Sequence, residues 1–455
     1  MPEAATCEYV PRWGMLLDGG CGDASQRIGP ERRRRLRMEN LIACLRRFGG
    51  RVGKLVGLLV TVMRILVRPA LSGGHGAVIL AVVGALLLAG CGSSHHQANT
   101  SSSTSTDANK PPSETVPDRR RGPVNVYGAD YAGDLSPVVR NDPALVYVPN
   151  SVSNTVDVIS QRTLKIVAQF PVGELPQHVT PSYDLRTLYV DNDLGNSLTP
   201  INPRTGRPGT PIPVEDPYNL YFTPDGRFAI VVAERLQHLD FRDPNTMHLV
   251  HSLAVPDCAG VDHMDFSADG RYAFASCEFA GRMIEVDLRT QQVIRTLVIN
   301  HGNSSPQDVK LSPDGRVIYT ADQQNGGLWK IDPRSFRVIG FLRTGAGAHG
   351  LYPSRDAKVM YVSNRQAGSI SLVSFRTRRV IATWQLPLPA SPDMGGVSAD
   401  GNTLWLSGRY NAVVYAIDTR TGRLRAAIPV GDGPHGLCVW PQPGRYSLGH
   451  TGILR

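Results

Sequence analysis

Long apolar stretches are what this 455-residue chain most lacks. The run from Ala77 to Leu88 is too short for a comfortable membrane span, which takes about 20 residues. Gly-rich phosphate loops of the P-loop and dinucleotide types are missing, which argues against those nucleotide-binding classes. No serine or cysteine pairs with a histidine in a pattern that specifies a catalytic triad. One-signed charge is also missing from the part expected to fold. The chain carries a net +9, but residues 1–90 hold 13 of its 48 Arg and Lys and only 6 of its 39 Asp and Glu. The remainder is near neutral, so no nucleic-acid partner is expected. Cysteine is scarce, with seven in all and four from Cys91 onward. Glycine and proline are plentiful at 46 and 34, a mix that suits a turn-rich β protein.

The N-terminal part reads as a targeting segment. Arg64 and Arg68 precede the apolar run, which closes on Leu88-Ala89-Gly90-Cys91. A positive region, a short apolar core and small residues before a cleavage point make a secretory leader. A cysteine directly after Leu-Ala-Gly resembles the lipobox of bacterial lipoproteins, in which that cysteine is acylated. Residues 63–90 are therefore expected to be a signal peptide, with Cys91 carrying lipid and holding the protein on the extracytoplasmic face of the cell membrane. The alternative is a short anchor that is never cleaved. Residues 1–62, with the basic run Arg32 to Arg35, fit this badly and read as an over-extended gene start or a cytoplasmic extension. Residues 91–123 are rich in Ser, Thr and Pro and too polar to offset the entropy of ordering, so they read as a tether.

Residues 124–455 repeat themselves, which decides the fold class. A turn Asp recurs at Asp142, Asp184, Asp225, Asp269, Asp314, Asp356 and Asp400, at spacings of 41 to 45. Exactly 20 residues after each comes a second mark, at Arg162, Arg204, Asn245, Arg289, Arg334, Arg376 and Arg420, always followed by Thr or Ser. Two β-rich runs fit between the marks and two more before the next Asp. Four short strands per repeat predict an all-β, seven-bladed β-propeller of four-stranded antiparallel blades. With strands lettered A to D from the hub outward, the A–B and C–D turns share one face. The B–C and D–A loops share the other, where the variable D–A loops ring the mouth of the central channel. Blade 1 has no good A strand of its own, while Gly436–Trp440 looks like an A strand without a blade. The C-terminal strand is therefore expected to complete blade 1 and leave no free sheet edge.

Tyr147-Val148-Pro149-Asn150 followed by Asn154-Thr155-Val156-Asp157-Val158-Ile159 resembles the YVTN-family, or YncE-like, β-propeller repeat. Tyr361-Val362-Ser363-Asn364 repeats the motif, and Ile331-Asp332-Pro333-Arg334 fits it. The resemblance covers about Asp142 to Trp440 and implies the propeller fold, here in lipoprotein form. It implies no activity, because a fold does not supply one.

Six residues before most of the turn Asp positions the chain enters the innermost strand; His349 stands seven before its Asp, and His435 is placed by its Gly-Leu-apolar continuation. The residues there are His178, Asn219, His263, Asp308, His349, Met394 and His435. Together they are expected to form a polar ring at the channel mouth and to contact a small-molecule or protein ligand. Imidazole, carboxylate and thioether are also transition-metal ligands, so His178, His263, His349 and His435 are candidates for a divalent or transition-metal ion. The bland reading is that these groups only face channel water. B–C loops on the same face add Asp191, Asp193, Glu234, Arg235, Glu278, Arg282, Asp322, Arg365 and Arg409. Cys258, in a D–A loop, and Cys277, at the end of the adjacent B strand, fall on one face of one blade and are expected to form a disulfide in an oxidising compartment. Cys438 reads as a packed small hydrophobe. The favoured function is a non-enzymatic, lipid-anchored binding scaffold. Its rivals are a metal-dependent lyase or hydrolase using the histidines, and a structural envelope protein.

Overall fold

The turn aspartates close their hairpins in one repeated way. At Asp184, Asp225, Asp269, Asp314, Asp356 and Asp400 the carboxylate accepts a hydroxyl from the Ser or Thr two residues earlier. It also accepts the backbone N–H two residues later. The residue directly after the Asp takes a left-handed conformation, which Gly226, Gly270, Gly315 and Gly401 meet without strain and which Leu185 and Ala357 also adopt. The second mark works differently from its appearance in the sequence. There Arg289, Arg334 and Arg420 supply a backbone N–H, accepted by the side chain two residues upstream, Asp287, Asp332 or Asp418, while the Arg204 guanidinium also reaches Asp142.

The computed structural model describes residues 125–450 and 454–455. The expected extension 1–62, the leader 63–90, and the tether 91–123 with Cys91 lie outside the described residues. Within them, seven antiparallel sheets form the propeller. The inner strands of blades 2 to 7 are Pro176–Pro181, Asn219–Phe222, Val261–Phe266, Pro306–Leu311, Ala348–Pro353 and Pro392–Val397. Every residue in them is buried, whereas the outer strands, such as Lys165–Pro171, are largely exposed. In blade 2 the outer edge is split into Arg207–Pro208 and Ile212–Pro213, both paired to Ser197–Asn202. Prolines lack the N–H a continuous ladder needs. Apolar side chains fill the spaces between neighbouring blades. Tyr221, Ile230 and Phe241 pack with Phe266, Ala275 and Ile284 between blades 3 and 4.

The ring closes through the C-terminal strand. Cys438–Trp440 pairs antiparallel with Leu145–Asn150, with Tyr147 opposite Cys438 and Leu145 opposite Trp440. Indole Nε1 of Trp440 donates to Asp142, 2.9 Å away. The first turn Asp is thus served by a residue from the other end of the repeat.

Beyond this strand, the chain crosses the face that carries the A–B turns. Ser447 donates its N–H to the carbonyl of Tyr183, His450 donates to Leu220, and Arg455 pairs with Asp265. Residues 125–139, for which the sequence offered no role, cover the same face. The N–H of Val126 bonds the carbonyl of Pro313, that of Gly133 bonds Ala399, and Asp130 makes a buried ion pair with Arg355. On the opposite side of blade 4 a disulfide joins Cys258 to Cys277. Cys438 is a buried free thiol.

Candidate functional site

Five of the seven inner strands begin with an irregularity. In blades 2, 4, 5, 6 and 7 the register against the next strand slips over the first residues, for example between Val261 and Met264 and between Pro392 and Gly395. A bulge of this kind breaks the strict alternation of side chains. It accounts for consecutive residues, Asp262 with His263 or Asp393 with Met394, both taking part in the polar hub.

The seven ring residues anticipated from the spacing do come together, but inside the channel and not at its opening. None is more than 3% exposed. Seven inner strands crowd the axis, and the C-terminal segment closes the channel from the A–B face. Four of the histidines are in ring contact. The centroids of His178 and His263 lie 5.5 Å apart, those of His178 and His435 4.9 Å, and those of His349 and His435 6.1 Å. A fifth, His450, arrives on the C-terminal segment and sits 4.7 Å from His263 and 5.3 Å from His178. It lies beyond the last repeat, where spacing offers no marker. Burial holds all five imidazoles neutral, His178 down to about 3 and the others well below the ordinary value.

The other three ring positions are tied into the frame. The amide of Asn219 lies against Nδ1 of His263 at 3.0 Å. Asp308 accepts the N–H of Val309 and that of Leu351 in the next blade, which makes it a latch between inner strands. The sulfur of Met394 lies 3.0 Å from Nδ1 of His349.

Charge divides across the mouth above the histidines. On one side, Glu234, Asp262 and Glu278 come from blades 3 and 4. Burial, with the repulsion of neighbouring carboxylates, raises Glu234 to about 8, while burial raises Glu278 to about 7 and Asp262 well above the ordinary range. On the other side stand Arg365 and Arg409 from blades 6 and 7. Arg365 is buried and grips Asp393 through Nε at 2.9 Å and Nη2 at 2.5 Å. Arg409 is half-buried and donates to Ser151 Oγ. The remaining charged rim residues are spoken for. Arg235 bridges Asp193 and Asp216, Asp191 accepts from Thr180, and Arg282 reaches Asp257. Asp322 accepts from Ser304, Asn325 and Trp329. Apart from this hub, a surface cleft of about 960 Å³ opens between blades 4 and 5, where Arg295, Arg316 and Arg334 alternate with Glu285, Asp314 and Asp332. It contains none of the histidines.

A family model described as the YNCE-like beta-propeller matches residues 135–443. The chain belongs to the YNCE-like β-propeller family. Among relatives of this YNCE-like chain, a 6-phosphogluconolactonase of Serratia proteamaculans is 24% identical over 233 residues, which cover 46% of this chain and 70% of the relative. YncE of Salmonella typhi is 26% identical over 130 residues, 28% of this chain and only 36% of that protein. Among solved structures, the hydrazine synthase of Kuenenia stuttgartiensis superposes with a TM-score of 0.54 at 18% identity, over 64% of this chain and 98% of the other. A functionally unknown protein from Desulfotomaculum acetoxidans gives 0.55 at 13% identity, over 65% and 98%. At these identities the YNCE-like chain shares a fold with both structures and nothing finer.

Proposed function

We propose that the chain is a lipid-anchored, extracytoplasmic binding protein, and that its mouth takes a small hydroxylated anion of the sugar-acid class. The observation that supports this is the division of charge across the mouth. The guanidinium of Arg409 suits a carboxylate or phosphate, and that of Arg365, whose nitrogens already serve Asp393 and Gln323, adds positive charge beside it. Glu234 and Glu278 suit hydroxyl groups, whether they accept from them or, when protonated, donate to them. The name of the Serratia relative denotes action on a phosphorylated sugar lactone, a molecule with the same two kinds of group. A second reading follows from the two glutamates. Carboxyls held at about 7 and 8 exchange protons readily near neutral pH, as a hydrolase acting on such a lactone would require.

The test is binding of 6-phosphogluconate by calorimetry, with Arg409→Ala and Glu234→Gln as variants. Loss of one charged hydrogen bond, about 1.5–3 kcal/mol, weakens binding roughly 10- to 150-fold. Arg409 is chosen because Arg365 also holds Asp393 in place. Equal affinity in both variants and the parent, or no binding by the parent, overturns the proposal. Turnover of the corresponding lactone that is lost in Glu234→Gln would select the hydrolase reading.

A further inference from the structure

Three imidazoles converge on the propeller hub with nothing to bond at one ring nitrogen. Nε2 of His178, His263 and His450 has no hydrogen-bond partner in any of the three, and all three rings are fully buried. As a set they offer ring nitrogens within 4.8 Å of one another. Leaving a buried polar atom unsatisfied costs its full desolvation penalty. Three such atoms in one place call for a shared partner.

We propose that Nε2 of His178, His263 and His450 bind a divalent transition-metal ion of the zinc or cobalt type. Neutral imidazole suits these ions, and three histidines leave a fourth position open. The outer nitrogens are arranged as metal-binding histidines need them. Nδ1 of His178 meets the carbonyl of Tyr218 at 2.9 Å, which fixes the proton on that side and the lone pair on Nε2. The side-chain amide of Asn219 lies 3.0 Å from Nδ1 of His263 and 3.4 Å from Nδ1 of His450. A half-turn of that amide exchanges its oxygen and nitrogen, so that the oxygen accepts from both rings and frees both Nε2 lone pairs, at the cost of the hydrogen bond that Oδ1 accepts from the N–H of Leu220.

Nearby charge is mixed, with two carboxylates beside the set and the buried Lys310 ammonium 3.9 Å from Asp308 Oδ1 opposing a cation. Asp262 Oδ1 is 3.1 Å from Nε2 of His263, with the Tyr218 side chain beside the same carboxylate. Asp308 Oδ1 is 3.8 Å from Nε2 of His450. Asp262 is placed to supply the fourth ligand. Bonds of about 2.0–2.1 Å bring tetrahedral nitrogens to roughly 3.4 Å apart, so the rings close on the ion by a modest rotation. The other convergent set, His349, Asp393 and His435, is a poorer site because the Arg365 guanidinium already occupies the Asp393 carboxylate. His450 stands on the C-terminal segment, while His178 and His263 stand on blades 2 and 4. A bound ion would therefore fasten that segment to the hub. The three histidines are distinct from the residues proposed to hold the mouth ligand, although Asp262 lies beside Glu234 and Glu278.

The experiment uses the full chain in detergent, stripped with a chelator and titrated with Co²⁺, then with Zn²⁺ in competition. One equivalent of Co²⁺ with the strong visible bands of a low-coordinate nitrogen site is expected, displaced by Zn²⁺. Outer-shell partners alone alter metal affinity by about 10- to 100-fold, so removing a ligand in His450→Ala should cost more than about 100-fold. His349→Ala should keep the parent affinity. No Co²⁺ uptake by the parent overturns the proposal, as does equal uptake by His450→Ala. Should His450→Ala fail to fold, His450→Cys decides the matter. A thiolate-to-cobalt charge-transfer band supports the site, and its absence from the Co²⁺-treated variant overturns it.

Discussion

Burying a histidine neutral and burying a glutamate protonated act on stability at opposite ends of the pH scale. His349 and His435 are held well below the ordinary value, so on acidification the unfolded chain takes up their protons first. Stability from this source falls as pH drops below about 6.5. Glu234 behaves in the reverse sense. Its folded form keeps the proton up to about 8, while the unfolded form gives it up near 4.5. Stability from this source is present below about 4.5 and is lost as pH climbs to about 8. Glu234→Gln should therefore raise stability at pH 8.5 by on the order of 1 kcal/mol and change little at pH 4.5. Urea titrations of parent and variant at the two pH values, without ligand or metal, check this. A destabilised variant at pH 8.5 would mean that the carboxylate is charged and paired in the folded state. At this scale the sequence was legible only in part. Counting back from the turn Asp reached His178 and His263, because the repeat fixes where the inner strand begins, and the Gly-Leu-apolar continuation after it marked His435. It passed over Asp262 and Asp393, because the bulge that brings them to the hub breaks the period on which such counting depends.

Among the elements, the segment after the closing strand has the most to do for its length. Leu448 and Leu454 are fully buried in separate inter-blade clusters, the first beside Tyr221 and Phe266, the second beside Tyr147 and Trp440. Tyr446 stacks on Tyr183, with ring centroids 5.1 Å apart. Removing Pro441–Arg455 leaves all four strands of blade 1 but takes both leucines out of their clusters, at about 1.5–3 kcal/mol of lost burial each. A loss of roughly 3–6 kcal/mol is expected, with the propeller still folded and monodisperse. Extending the deletion to Gly436 also removes Cys438–Trp440 and exposes the edge of Leu145–Asn150, so that variant should aggregate. Denaturant unfolding and size-exclusion chromatography distinguish the two. Equal stability of the shorter deletion and the parent would show that this segment only lies on the surface. The closing strand was legible because its pattern matches the other inner strands. The covering segment was not, because it occurs once and its contacts are set by the surface it crosses.

For the whole molecule, the repeat made the architecture legible and left the activity dark. Seven copies of one turn pair state the blade number and closure many times over. A site assembled from single residues of several blades is stated once and at no regular interval. The same division applies to the proposed anchor, which depends on Cys91 alone. If Cys91 carries lipid, the parent should partition with membranes, need detergent for release, and enter the detergent phase of a Triton X-114 separation. Cys91→Ser should lose the lipid and leave the detergent phase, because the 125–455 region has no helix long and apolar enough to cross a membrane among its described residues. An uncleaved leader could also hold the variant on the membrane, so the mass of the protein is read alongside its partition. A mature chain beginning at residue 91, heavier than its sequence by acyl groups, fits the anchor. A parent that keeps residues 63–90 and shows no added mass would replace the lipid anchor with a peptide one.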